Sequence, residues 1–238
     1  MTDLRILSGG AAKGLVTAMT NPFSALTGLG INGDYGAVGG MRDRIKAGEA
    51  VDVVILTKAI LDQLAHSGHV IAGSVADLGH VVTGLALRKD APVPDISTPD
   101  ISTPDALRRL LLASDGIYLS DPVLATAGRH FTQVIERLGI TDQVADRMHC
   151  YRSGHIAMAA LAASDDLRPV GCTQITEILT TPSVSYAGAL PDGFGLVTTY
   201  AAAVAARTAH PHAAQTLVSL LTASDTSAQR VQAGFSER

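Results

Sequence analysis

A chain of 238 residues, 47% of them apolar, can build one large domain or two lobes of roughly 100 residues each, with enough core to fold without covalent staples. A net charge of −4, an aromatic content of 4% and the absence of tryptophan exclude the basic stripe and the stacking platform that nucleic-acid binding requires. Cys150 and Cys172 have neither CxxC nor Cys/His spacing, so both read as buried thiols rather than as a disulfide or a metal site.

The opening MTDLRILSGG enters a strand at once, without the charged and apolar regions of a secretory leader. No later apolar run approaches the ~20 residues of a membrane span. As written, the sequence reads as cytoplasmic and free of membrane contact. If a leader has been removed, it reads as periplasmic, with a membrane transporter as partner.

Residues 4–8, LRILS, form the first expected strand, followed by a helix over 11–20. The link between them, SGGAAKG, lacks both GxxxxGK[ST] and GxGxxG, so the phosphate-loop and dinucleotide readings fail. Ser8, Gly9 and Gly10 suit an anion site instead: glycines turn the chain tightly, the N–H groups of a first helical turn point outward, and Ser8 adds a hydroxyl. Gly39 and Gly40 precede a helix over 40–48 and offer a second such start. A strand over 51–56, a helix over 58–66 and a strand over 81–88 come next.

The tandem DISTPDISTP, Asp95 to Pro104, is a helix start rather than a binding motif. Thr103 caps, Pro104 loses no bond at the first helical position, and Asp105 favours the dipole of a helix over 104–113. The first copy, with Pro92 and Pro94 before it, extends a surface loop.

After the strand 116–120 comes SDPVLATAGRHF, opening a helix over 126–138. Ser120, Thr126, Ala127 and Gly128 allow a ligand close to exposed N–H groups, while Arg129 offers a planar fork matched to carboxylates. An ordinary helix with Arg129 in solvent is the alternative. A strand over 147–152 leads through Arg152, Ser153 and Gly154 into a helix over 154–163. The strand 169–174 ends at Gln174, and a short helix over 175–179 carries Glu177. Strands over 184–190 and 196–206 and helices over 210–222 and 224–233 complete the chain. Most strands read as buried on both faces, and their alternation with helices implies βαβ units and parallel sheets, an α/β class.

His66, His69, His210 and His212 lack partner carboxylates at metal-ligand spacing, and GxSxG is absent. Neither a metal nor a cofactor is expected, nor a Ser/His/Asp arrangement.

The order of these pieces resembles the type II periplasmic binding protein family: strand, SGGA, helix; AGEAVDVVIL; LALRKDAPVPDISTPDALRRLLL; YLSDPVLATAGRHF; GCTQITEIL; LVTTYAAAVAA. The likeness covers essentially the whole chain and is greatest to the molybdate-binding branch. It implies two α/β lobes, 1–82 with 191–238 and 83–190, joined by two crossings and closing on an anion held by hydroxyls and helix amides. The positions matching the family's contacts are Ser8, Gly39 and Gly40, Ala125 to Gly128, Ser153 and Gly154, and Gln174. Two departures from the molybdate pattern matter: GAVGG has no second hydroxyl, and Gln174 stands where a strand-end tyrosine is expected. Arg129, Arg152 and His130 exceed what a tetrahedral oxyanion needs, which favours an organic di- or tricarboxylate.

The resembled family also includes aconitate isomerases, which move a proton along an allylic tricarboxylate without a cofactor. Such chemistry needs a base for a proton α to a carboxylate and donors for the developing charge. His130 is the first candidate, because a helix N-terminus disfavours imidazolium; His155 and Glu177 follow. Each can equally be an ordinary surface or structural residue. Two readings therefore stand: a solute-binding protein for a small anion, and a cofactor-independent isomerase.

Overall fold

The structure is a computed structural model and describes residues 3–89 and 101–236. The chain parts into two compact α/β units, one running to Val81 and resuming at Thr198, the other Val82–Val197.

In the first unit β1 (Leu4–Gly9) lies between β2 (Ile31–Gly36) and β3 (Val53–Thr57), parallel to both, and β9 (Val197–Val204) joins β3 antiparallel. β3 is an unbroken buried run and β1 exposes only Arg5, as strands covered on both faces should. The helices are α1 (Lys13–Thr27), α2 (Val38–Lys46), α3 (Lys58–His66), α9 (Pro211–Thr222) and α10 (Ser227–Gln232). Leu15, Val16, Met19 and Phe23 form the buried stripe of α1, which packs on α9.

In the second unit the strand order is β8-β4-β7-β5-β6. Here β4 is Ala76–Arg88, β5 Gly116–Ser120, β6 Met148–Tyr151, β7 Pro169–Gln174 and β8 Val184–Ala189. β5 runs parallel to β6 and β7, while β4 is antiparallel to β7 and β8. Two cores flank this sheet. α4 (Pro104–Ala113), α5 (Thr126–Arg137) and α6 (Thr141–Val144) bury Leu107, Phe131, Val134 and Val144 with Leu85, Leu119 and Cys172. On the other face α7 (Gly154–Ala162) and α8 (Ile175–Leu179) bury Met158, Leu161 and Ile178 with Tyr118 and Ala86.

The α/β class stands, with several corrections. The sheets are mixed rather than parallel, because β4 and β9 oppose their neighbours. β2 was not expected; INGDYG is half-exposed and pairs through its backbone with β1. β6 is an exposed edge, so Cys150 is exposed while Cys172 alone is buried. Thr103 caps α4 as its sequence requires, its Oγ1 accepting from the Ala106 N–H at 3.2 Å. The surface loop expected from the first DISTP copy and Pro92–Pro94 lies outside the described residues.

Candidate functional site

In each unit the parallel strands end where helices begin, the edge at which α/β sheets bind ligands. In the first unit, β1 delivers Ser8 and Gly9 to a short helical turn, Gly10–Ala12, that leads into α1. Ser8 is fully buried, and its hydroxyl donates to the Gly9 carbonyl at 2.8 Å. Gly9 is required by packing, since a Cβ there would stand 2.9 Å from Val38 Cγ1 and 3.1 Å from Tyr200 Cε1. Gly39 and Gly40 lie inside the first turn of α2 instead of preceding it. Ala37, the residue before that helix, provides no side-chain cap, so the N–H groups of Val38, Gly39 and Gly40 have no intrahelical acceptor.

The second unit gathers more chemistry. β5 ends at Ser120, β6 at Tyr151 beside Arg152, and β7 at Gln174. Asp121 turns the chain after β5 by accepting the N–H groups of Val123 and Leu124, each at 2.7 Å. α5 then begins at Thr126 without a side-chain cap. Ala127 and Gly128 are buried in its first turn; a Cβ on Gly128 would collide with the carbonyl oxygens of Ser120 and Asp121, so backbone packing demands this glycine. Arg129 and Arg152 are exposed and form no ion pair among the described residues.

His130 has a definite partner: its Nε2 lies 2.7 Å from the Phe194 carbonyl. A carbonyl only accepts, so Nε2 carries the proton and only Nδ1 is left to act as a base. The side chain thereby ties α5 to the segment after β8, where Arg137 also stacks over the Phe194 ring at 4.1 Å.

Ser153 caps α7, accepting from the Ile156 N–H at 3.4 Å. Glu177 reaches the same turn. Its carboxyl accepts from the His155 backbone N–H at 3.2 Å and from the Thr173 hydroxyl at 2.5 Å, with the Gln174 backbone a further donor. Gly154 leaves room for this contact, since a Cβ would run into Thr173 Oγ1 and Glu177 Oε2. Burial raises the Glu177 pKa above the ordinary carboxyl range, and the three donors only partly oppose it.

Three hydroxyls at this edge, on Thr83, Ser120 and Thr176, are buried and have no hydrogen-bond partner among the described residues. Register places them. Thr83 faces Gln174 across β4 and β7, on the side of Leu85 and Cys172. Ser120 follows Leu119 in β5 and so turns to the opposite side, that of Tyr118 and α7. Thr176 opens α8. Thr83, Thr173, Thr176 and Phe194 carried no motif in the sequence. The single available signal was polar residues closing buried strands, as in CTQITE.

Strand-end helix starts of this kind, in two α/β units, define a solute-binding fold. The sequence profile of the family described as bacterial extracellular solute-binding protein matches residues 4–236, and the chain belongs to that family. It is similar to an aconitate isomerase of Pseudomonas sp., 26% identical over 94% of this chain and 84% of that one. The periplasmic molybdate-binding protein of Azotobacter vinelandii shares the fold at a TM-score of 0.78 and 18% identity, over 99% of this chain and 100% of that one. The sulfate-binding protein of Mycobacterium tuberculosis does so at 0.74 and 18%, over 99% and 86%. Among the described residues no helix is long and apolar enough to cross a membrane, and no three His, Cys, Asp or Glu side chains are grouped to hold a metal.

Proposed function

We propose that the protein binds a small organic di- or tricarboxylate at the helix-start edge of the second unit. The observation that carries this reading is the buried Ser120 hydroxyl, without a protein partner among the described residues at the end of β5, where the uncapped start of α5 follows. A buried hydroxyl left unpaired costs about 1–3 kcal/mol, which a ligand oxygen recovers. Relatives named for molybdate and sulfate support an anion. Arg129 and Arg152, two exposed guanidiniums without ion pairs among the described residues, add charge enough for more than one carboxylate group. The first-turn N–H groups of α5 and the Ser153–Gly154 turn add backbone donors. In the first unit the uncapped first turn of α2 offers N–H groups of the same kind.

Titration calorimetry with citrate, trans-aconitate and molybdate tests the reading. Carboxylates should bind more tightly than molybdate, and Arg129→Ala should weaken them by roughly 1.5–3 kcal/mol. An unchanged dissociation constant in that variant would remove Arg129 from the site.

A second reading is favoured by the likeness to aconitate isomerase and by Glu177, a buried carboxyl whose raised pKa suits a general base. In that reaction Glu177 takes a proton from the carbon α to a carboxylate, the double bond shifts, and the proton returns at the far allylic carbon. The neighbouring hydroxyls and N–H groups hold the enolate-like charge. His130 and His155 are the competing bases. Proton NMR in D2O with trans-aconitate separates the readings: conversion or deuterium uptake, lost in Glu177→Gln, supports the isomerase, and line broadening without conversion supports the binder. A binder would pass its ligand to a membrane transporter, whereas an isomerase needs none and acts without a cofactor.

A further inference from the structure

At the opposite end of β3 from its helix start, the first unit holds a pocket of about 420 Å³. That volume is in the range of small-molecule sites. It is bounded by the ends of α2 and α3, the approach to β3 and the exit of β9. Both helices end in a left-handed glycine, Gly48 at φ +85° and Gly68 at φ +71°. In each helix the last carbonyls are taken up by the following N–H groups: Gly48 and Glu49 donate to Ile45 and Arg44, and Gly68 and His69 donate to Ala65 and Leu64. The carbonyls of Arg44, Ile45, Leu64 and Ala65 are thus paired within the chain.

The side chains around the pocket are biased in charge. Lys46, His69 and Arg207 line the pocket, and none has an ion pair among the described residues. The acid beside them, Glu49, is already paired: Arg44, which also holds Asp34 at 2.6 Å, grips both its oxygens at 2.6 and 2.7 Å, and Arg5 stands at 3.5 Å. The Ser67 hydroxyl donates to the Gln63 carbonyl at 2.9 Å, so at its 2.9 Å contact with His69 the imidazole Nδ1 is the donor. With the proton on Nδ1, the His69 Nε2 is an acceptor, open to a hydroxyl or N–H of a ligand but not to its anionic end. Ile45, Val51 and Ala205 supply an apolar wall.

We propose that this pocket is a second binding site, for a small organic anion with an apolar body, whose charged end meets Lys46 and Arg207. It is independent of the carboxylate reading above, because no residue is shared.

Amide NMR of the whole chain, titrated with phenyl phosphate, inorganic phosphate and benzyl alcohol, is the test. Phenyl phosphate should give saturable shifts at the amides of Gly48, Gly68 and Ala205, with inorganic phosphate binding more weakly and benzyl alcohol not at all. Lys46→Gln combined with Arg207→Gln, two exposed positions, should weaken phenyl phosphate tenfold or more while leaving the amide spectrum of the free protein otherwise intact. Absence of saturable shifts at those three amides would overturn the proposal, as would equal affinity in the double variant. Inorganic phosphate binding as tightly as phenyl phosphate would overturn its apolar half. Failure of the site in the second unit would leave these signals untouched.

Discussion

Replacing Glu177 by glutamine gives a stability difference that changes with pH in a direction fixed by burial. Glu177 is 5% exposed, and its carboxyl is held by Thr173 and His155. At low pH it is neutral in both folded and unfolded chains, and the amide differs from it by one hydrogen bond, about 1 kcal/mol. Above the ordinary value of 4.5 the unfolded chain releases this proton, whereas the folded chain keeps it until its raised pKa is reached. Stability from the neutral carboxyl is thus complete below 4.5 and is lost as pH rises through the folded value. Relative to wild type, Glu177→Gln should therefore gain stability with rising pH, by up to about 1.4 kcal/mol per pH unit within that window, and then level off. Urea unfolding followed by circular dichroism from pH 4.5 to 8 measures both proteins. Parallel profiles would mean that Glu177 ionises like an exposed glutamate and would refute the burial argument.

Ser120→Ala should leave thermal stability unchanged or raised and weaken carboxylate binding about tenfold, read by calorimetry, because it deletes a hydroxyl with no protein partner. Gly128→Ala should destabilise by about 1–3 kcal/mol, since its methyl meets the Ser120 and Asp121 carbonyls; an unchanged melting curve would contradict the packing. Thr103→Ala should cost about 1 kcal/mol in chemical denaturation by removing the cap of α4. His130→Ala should free the Phe194 segment, seen as faster hydrogen exchange at Phe194 and its neighbours.

Strongly patterned elements were legible from the chain. β5, β7, α3, α4 and α8 fall on the expected residues, because GIYLS and PVGCTQ are short buried runs and Thr103–Pro104–Asp105 is an unambiguous start. Tertiary context overrode local signals elsewhere. α1 was expected to stop at 20, yet it continues through Pro22 to Thr27, carried by the buried stripe that ends at Phe23. INGDYG has poor strand propensity and is a strand because β1 offers it a free edge. The Gly39–Gly40 pair was expected to precede its helix and lies inside it, the start having moved back to Val38. Ser120, Ser153 and Gln174 could be named from strand-end position. The contact of Glu177 with Thr173 and the His155 N–H joins two helices across 22 residues through sheet register, which no local pattern encodes.

The two thiols have a use of their own. Cys150 is exposed on β6, while Cys172, on β7, is wholly buried against the helices of one core, its pKa driven well above the usual thiol value by desolvation. Surroundings and the nearby Asp121 also raise Cys150, so alkaline conditions will speed its labelling. A maleimide should accordingly mark the native chain once, beside Tyr151 and Arg152, and mark it twice only when the second unit opens. The mass of the product after a timed pulse then counts opening events in that unit alone, without any engineered cysteine.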